Sequence, residues 1–155
     1  MATDQEMIDT VRHAFAAEPR PEHFTDHAHC CECAEHDALL GSRDLDSLRV
    51  EDVNNAGWDP ICFVTAAGFR YYLPALVRLA FDSATTEDWY LPQLLFHLTY
   101  DGPHNRRVRC CSAAQQRAIA AMLWHVLATR PALIVWYGIE DEIQRALEIW
   151  SAPGP

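Results

Sequence analysis

Apolar residues recur at helical spacing along most of this chain, and that recurrence limits the folds open to it. Leu91, Leu94, Leu95 and Leu98 stand at i, i+3, i+4 and i+7, which places all four on one face of a helix. Ile8, Val11 and Phe15 repeat the pattern near the start, and Leu73, Leu76, Val77, Ala80 and Phe81 repeat it mid-chain. Ile119, Leu123 and Val126, then Ile139, Ile143, Leu147 and Trp150, carry it toward the end. Such faces are buried by packing on one another. The expected fold class is therefore mainly α: a compact single-domain fold of five to six helices with at most a short strand. A chain of 155 residues, half of them hydrophobic, suits one domain over 1–155 with a core that needs no disulfide staples.

Local signals set the expected boundaries. Pro19-Arg20-Pro21 stops a first helix over 4–17. Thr25 is the expected N-cap of a second helix that buries Leu39 and Leu40 and ends at Gly41. Residues 45–53 suggest a short helix, Asn54-Asn55-Ala56-Gly57 a turn, and Ile61-Cys62-Phe63-Val64 a short strand or extended segment. Thr65 suits the cap of a helical turn through Tyr72, with Pro74 starting the next helix. Asp101-Gly102-Pro103 breaks the leucine helix, and Ser112 caps a long one over 113–129. Asp141 and Glu142 fall in the first turn of a C-terminal helix, where the dipole favours acids.

The charge is unevenly spread. The formal net charge is -10, and residues 1–60 hold 14 acids against 4 arginines. The span 102–139 holds no acid and five arginines: Arg106, Arg107, Arg109, Arg117 and Arg130. Nucleic acid and anionic membrane surfaces are not expected partners of so acidic a chain. The arginine cluster would suit an acidic protein partner, although facing solvent or the protein's own acidic half is the simpler reading. The first residues lack the positive charge and apolar stretch of a signal peptide. The apolar run from Ala132 to Tyr137 is far shorter than the roughly 20 residues needed to span a bilayer. A cytoplasmic protein with reduced thiols is expected. Six cysteines then point to metal or thiol chemistry before a disulfide framework.

Three of those cysteines and four of the eight histidines fall between residues 23 and 37. The centre reads His29-Cys30-Cys31-Glu32-Cys33-Ala34-Glu35-His36, a C-x-x-C pair with a histidine three residues on. Zinc takes about four nitrogen or sulfur donors in a tetrahedron, which Cys and His supply. On a helix, His29, Cys33 and His36 lie within about 60° of each other and Cys30 about 60° further round. Cys31 points away and reads as a packed thiol. Cys30 and His36 would be separated by about 9 Å of rise. An irregular first turn, or His23 folding back in place of His29, would relieve that. The expected ligands are four of the five residues His23, His29, Cys30, Cys33 and His36, with zinc the expected metal and copper or iron open to the same soft donors.

Other residues carry weaker signals. Cys110-Cys111, beside Arg109 and a helix start, are the alternative reactive thiols. Trp58, Trp89, Trp124, Trp136 and Trp150 read as core and rim aromatics, and His97 and His125 as satisfied core histidines. The chain has no P-loop, no Rossmann glycine motif and no G-x-S-x-G.

Arg20-Pro21-Glu22-His23-Phe24-Thr25, His29-Cys30 through Glu32-Cys33 to Glu35-His36-Asp37, and Gly68-Phe69-Arg70-Tyr71-Tyr72-Leu73-Pro74, with the glutamine-containing helix after Ser112, resemble an uncharacterised family of small bacterial proteins. The resemblance covers most of the chain and implies His23, Cys30, Cys33 and His36 as a matched set. It implies a site without a reaction, and Cys31, Cys110 and Cys111 stand outside its pattern. Three functional readings follow. The first is a binding or adaptor module with a structural zinc. The second is a thiol redox protein using Cys30 and Cys33. The third is a metal-dependent hydrolase with Glu32 or Glu35 as base.

Overall fold

The computed structural model describes residues 1–151; residues 152–155, included in the expected domain, lie outside the described residues. Helix α1 (Asp4–Ala14) opens with a capping box in which Thr3 and Glu6 satisfy each other's backbone N–H groups. Then come α2 (Cys31–Gly41), α3 (Val50–Val53) and a 3₁₀ turn over Pro60–Phe63. Helices α4 (Ala66–Asp82) and α5 (Leu91–Thr99) follow, then a 3₁₀ turn over Gly102–His104. The chain continues through α6 (Arg106–Arg109), α7 (Ala113–Thr129), α8 (Pro131–Tyr137) and α9 (Glu140–Ser151).

The fold is mainly helical, as expected, with more helices than five to six. The short helix expected over 45–53 is present as α3, over its last four residues only, and the unforeseen α6 and α8 span seven residues or fewer, too short for a periodic stripe to reveal. Helices α1, α4, α5, α7 and α9 pack around the core, with α7 against both α1 and α9. Every leucine of the Leu91–Leu98 stripe is buried, as are Ile8, Val11 and Phe15. Trp150 is 1% exposed, and its indole N–H donates to the Leu98 carbonyl, fastening α9 to α5. Ser112 caps α7 through the Gln115 N–H, as its sequence predicts. Among the described residues no single helix is long and apolar enough to cross a membrane.

Three local expectations fail, each for a visible reason. Ile61–Val64 is not a strand. Asp59 caps the Ile61 N–H and Pro60 fixes the first position, which winds the segment into a 3₁₀ turn; only Val64 pairs, as an isolated antiparallel bridge to Thr25. Pro74 does not start a helix but lies inside α4, where the apolar face from Phe69 to Phe81 outweighs its missing N–H. Thr25 does not cap α2. Its N–H goes to Asp37 Oδ1 at 3.1 Å and its hydroxyl to the Cys33 carbonyl at 2.7 Å, so α2 begins six residues later.

Those Thr25 bonds, with Phe24, hold the segment before α2 against the bundle. The Thr65 N–H donates to the Phe24 carbonyl at 2.8 Å, and a Cβ on Gly68 would sit 2.9 Å from that oxygen. Only glycine lets the first turn of α4 come this close. The C-terminal end of α2 is fixed by the Tyr72 hydroxyl, 2.5 Å from the Leu40 carbonyl and 2.9 Å from that of Arg43. On its other side α2 packs on the Pro60–Phe63 turn.

Candidate metal centre

Cys30 is the N-cap of α2. Its backbone is extended, and its sulfur accepts the Cys33 N–H at 3.4 Å. Residues 26–29 turn just before it, closed by the His29 N–H to the Asp26 carbonyl. The turn brings the His29 ring over the helix start. Cys30 Sγ lies 3.3 Å from Cys33 Sγ, and His29 Nδ1 lies 3.8 Å from Cys33 Sγ. Ligand atoms of all three residues fall within 4.8 Å of one another. Cys33 is buried; His29 and Cys30 are exposed.

Electrostatics divide the two thiols. The Cys33 N–H, His29 and the Cys33 thiol all stabilise a Cys30 thiolate and bring its pKa down to about 7. That thiolate and burial together push Cys33 up. His29 is raised in turn, chiefly by its bond to Cys30. The arrangement supplies a thiol about half ionised at neutral pH, a second thiol beside it, and an imidazole.

The two remaining expected ligands lie elsewhere. His36 is fully buried, stacked on Phe63 with ring centroids 4.8 Å apart and tilted against Trp58 at 4.6 Å. Neither ring nitrogen makes a hydrogen bond, and Glu32 Oε1 stands 3.5 Å from Nε2. His23 joins His27 and Asp37 in a second group of ligand atoms within 4.8 Å. The cause is the late start of α2. With His29 and Cys30 off the helix they fold over Cys33, while His36, nearly a turn further on, faces the Pro60–Phe63 turn. The bare i, i+4 spacing of His23 and His27 is the signal that would have paired them.

A third group, Asp59, Cys62 and His97, is already internally satisfied. Asp59 accepts from the Ile61 N–H at 2.9 Å, Gln93 Nε2 at 2.7 Å and His97 Nε2 at 2.6 Å. The other nitrogen of His97 faces Arg107 Nη1 at 2.7 Å, so it accepts and the ring is neutral. Burial lowers the His97 pKa despite the bond to Asp59, consistent with that state. His97 is thus the satisfied core histidine its sequence suggested, and so is His125, bonded to Asp4 at 2.8 Å. Burial and Asp59 together hold the Cys62 thiol above its ordinary value.

Cys110 and Cys111 both lie 3.1 Å from the Arg107 carbonyl. The Cys111 thiol and Arg70 bring Cys110 down to about 6 against the opposing effect of burial, and Cys111 is pushed far up. Of the five tryptophans, Trp89 and Trp150 are buried while Trp58, Trp124 and Trp136 are exposed.

Fold and site together define an α-helical domain with grouped Cys, His and Asp side chains that can hold a metal ion. The chain belongs to the family of unknown function DUF6714, whose model matches residues 3–150. Neither the curated proteins nor the solved structures offer a match.

Proposed function

We propose that this is a metal-binding helical domain in which His29, Cys30 and Cys33 hold one zinc ion, and that it serves as a binding or adaptor module. The observation carrying this reading is the convergence of one imidazole and two sulfurs within 4.8 Å at the start of α2. Two thiolates and an imidazole are a donor set zinc favours. Three protein donors leave one coordination position for water or another side chain. The hydrophobic core is formed elsewhere, so the ion orders the surface loop before α2 rather than building the domain.

Elemental mass spectrometry on the purified protein tests this. Zinc content that falls by one ion per chain in a C30S/C33S variant that keeps its helical circular dichroism is the expected result. A double variant that holds as much zinc as the wild type would refute the assignment.

The sulfur–sulfur distance of 3.3 Å favours a second reading, a reversible dithiol. Oxidation would join Cys30 and Cys33 through one S–S bond and release two protons and two electrons to an acceptor such as a second disulfide. Titration of metal-free protein in a glutathione redox buffer separates the readings. Thiols that remain reduced across the accessible range of potential exclude the dithiol reading. A hydrolase with Glu32 or Glu35 as base has weaker support, since Glu32 lies beside the buried His36 ring.

A further inference from the structure

We propose a second metal site, separate from the thiolates, in which His23 and His27 hold a borderline divalent cation such as zinc and Asp37 fixes the orientation of His23.

The two imidazole rings stack face to face, with centroids 3.6 Å apart and planes 13° from parallel. Both side chains are exposed, so bulk water and ions reach them. Apolar burial therefore does not account for their pairing. Asp37 does account for the pose of His23. Its Oδ2 lies 2.7 Å from His23 Nδ1, while its Oδ1 accepts the backbone N–H groups of Phe24 at 2.6 Å and Thr25 at 3.1 Å. Its Oδ1 thus accepts two backbone N–H groups, the surroundings of an ionised carboxylate.

An ionised carboxylate is an acceptor only, so the proton shared with His23 sits on Nδ1. The Nε2 of His23 then carries the lone pair. A histidine held through one nitrogen by a carboxylate and presenting the other is the arrangement that orients imidazole ligands in metal sites. His27 has a ring nitrogen within 4.8 Å of that group, and a turn of its ring out of the stack would bring the in-plane lone pair onto the same ion. The electrostatic setting suits a cation, since residues 1–60 carry 14 acids against 4 arginines. Two imidazoles completed by water make a weaker and more exchangeable site than the thiolate group, and one with nitrogen rather than sulfur character.

Asp37 is a positioning residue here, not a ligand. Its two backbone bonds also hold the Phe24–Thr25 segment, so its removal has a structural effect that the test must separate from any effect on the metal.

The test is equilibrium dialysis of the full chain against buffered zinc, with bound metal counted per chain in four forms. Wild type binds two ions, C30S/C33S binds one, H23Q/H27Q binds one, and the combination binds none. Cobalt(II) adds a spectroscopic reading: sulfur-to-cobalt charge-transfer absorption persists in H23Q/H27Q and vanishes in C30S/C33S. If the thiolate site fails instead, C30S/C33S keeps the wild-type count while H23Q/H27Q still loses one ion, so the two failures are distinguishable. D37N weakens the imidazole site about 10- to 100-fold. In the H23Q background D37N has no further effect on zinc affinity, whereas a purely structural role for Asp37 would leave its effect intact. An H23Q/H27Q protein that binds as much zinc as wild type overturns the proposal.

Discussion

The position of Cys30 at the start of α2 predicts a reactivity that can be measured without knowing any substrate. In metal-free protein its pKa stands at about 7, against an ordinary 9.0. At pH 7 that makes about half of Cys30 thiolate, where an ordinary thiol of this kind is about 1% ionised, a gain of about 50-fold. A lower pKa also makes a weaker nucleophile. With a Brønsted slope of about 0.4–0.5, two units reduce intrinsic reactivity about 6- to 10-fold. Cys30 should therefore alkylate about five to eight times faster at pH 7 than an ordinary thiol. Its rate should climb through a midpoint near pH 7. The assay is site-resolved iodoacetamide labelling read by peptide mass spectrometry, in a C31S background so that the neighbouring exposed thiol does not confuse the count. Zinc bound at the thiolate group should protect Cys30. The same shift carries a sign for stability. The folded value lies below the unfolded one, so ionised Cys30 stabilises metal-free protein fully above about pH 9, and this is lost as pH falls through about 7. A labelling midpoint near pH 9 would refute the reasoning.

Three further outcomes are expected. D59N leaves one oxygen for the Ile61 N–H but turns the other into an NH2 that faces the Gln93 and His97 donors, and should cost about 3–5 kcal/mol, or roughly 6–20 °C in Tm, measured by thermal or urea unfolding; a change under about 1 kcal/mol would mean the Asp59–His97–Arg107 chain contributes little. G68A forces a Cβ against the Phe24 carbonyl and should cost about 1–3 kcal/mol by the same assay; an unchanged midpoint would show that the approach can relax. H36F replaces a ring whose nitrogens have no hydrogen-bond partner, so it should keep both zinc content and stability; loss of zinc would make His36 a ligand after all.

The long helices were legible because their signals are local. A leucine every third or fourth residue, a Ser112–Gln115 capping box and a run of acids at Glu140 each declare an element without reference to the rest of the chain. The grouping of His29, Cys30 and Cys33 was legible for the same reason, since C-x-x-C preceded by histidine places all three side chains within five positions. What could not be read depended on distant partners. Thr25 looks like a helix cap until Asp37 takes its N–H and Val64 pairs with it. His36 looks like a ligand until Trp58 and Phe63, more than twenty residues away, enclose it. Asp59 gave no signal at all, because its partners Gln93 and His97 lie more than thirty residues on.

The pairing of α1 with α7 sets an order for biosynthesis. Asp4 bonds His125 and Arg130, so α1 can pack on α4 and pair Arg12 with Asp46 early, but its contacts with α7 wait until residues near 130 have left the ribosome. At about 5–20 residues per second that delay is on the order of ten seconds. The His29, Cys30 and Cys33 side chains lie within five positions of one another and leave the ribosome long before the α1–α7 seam can close.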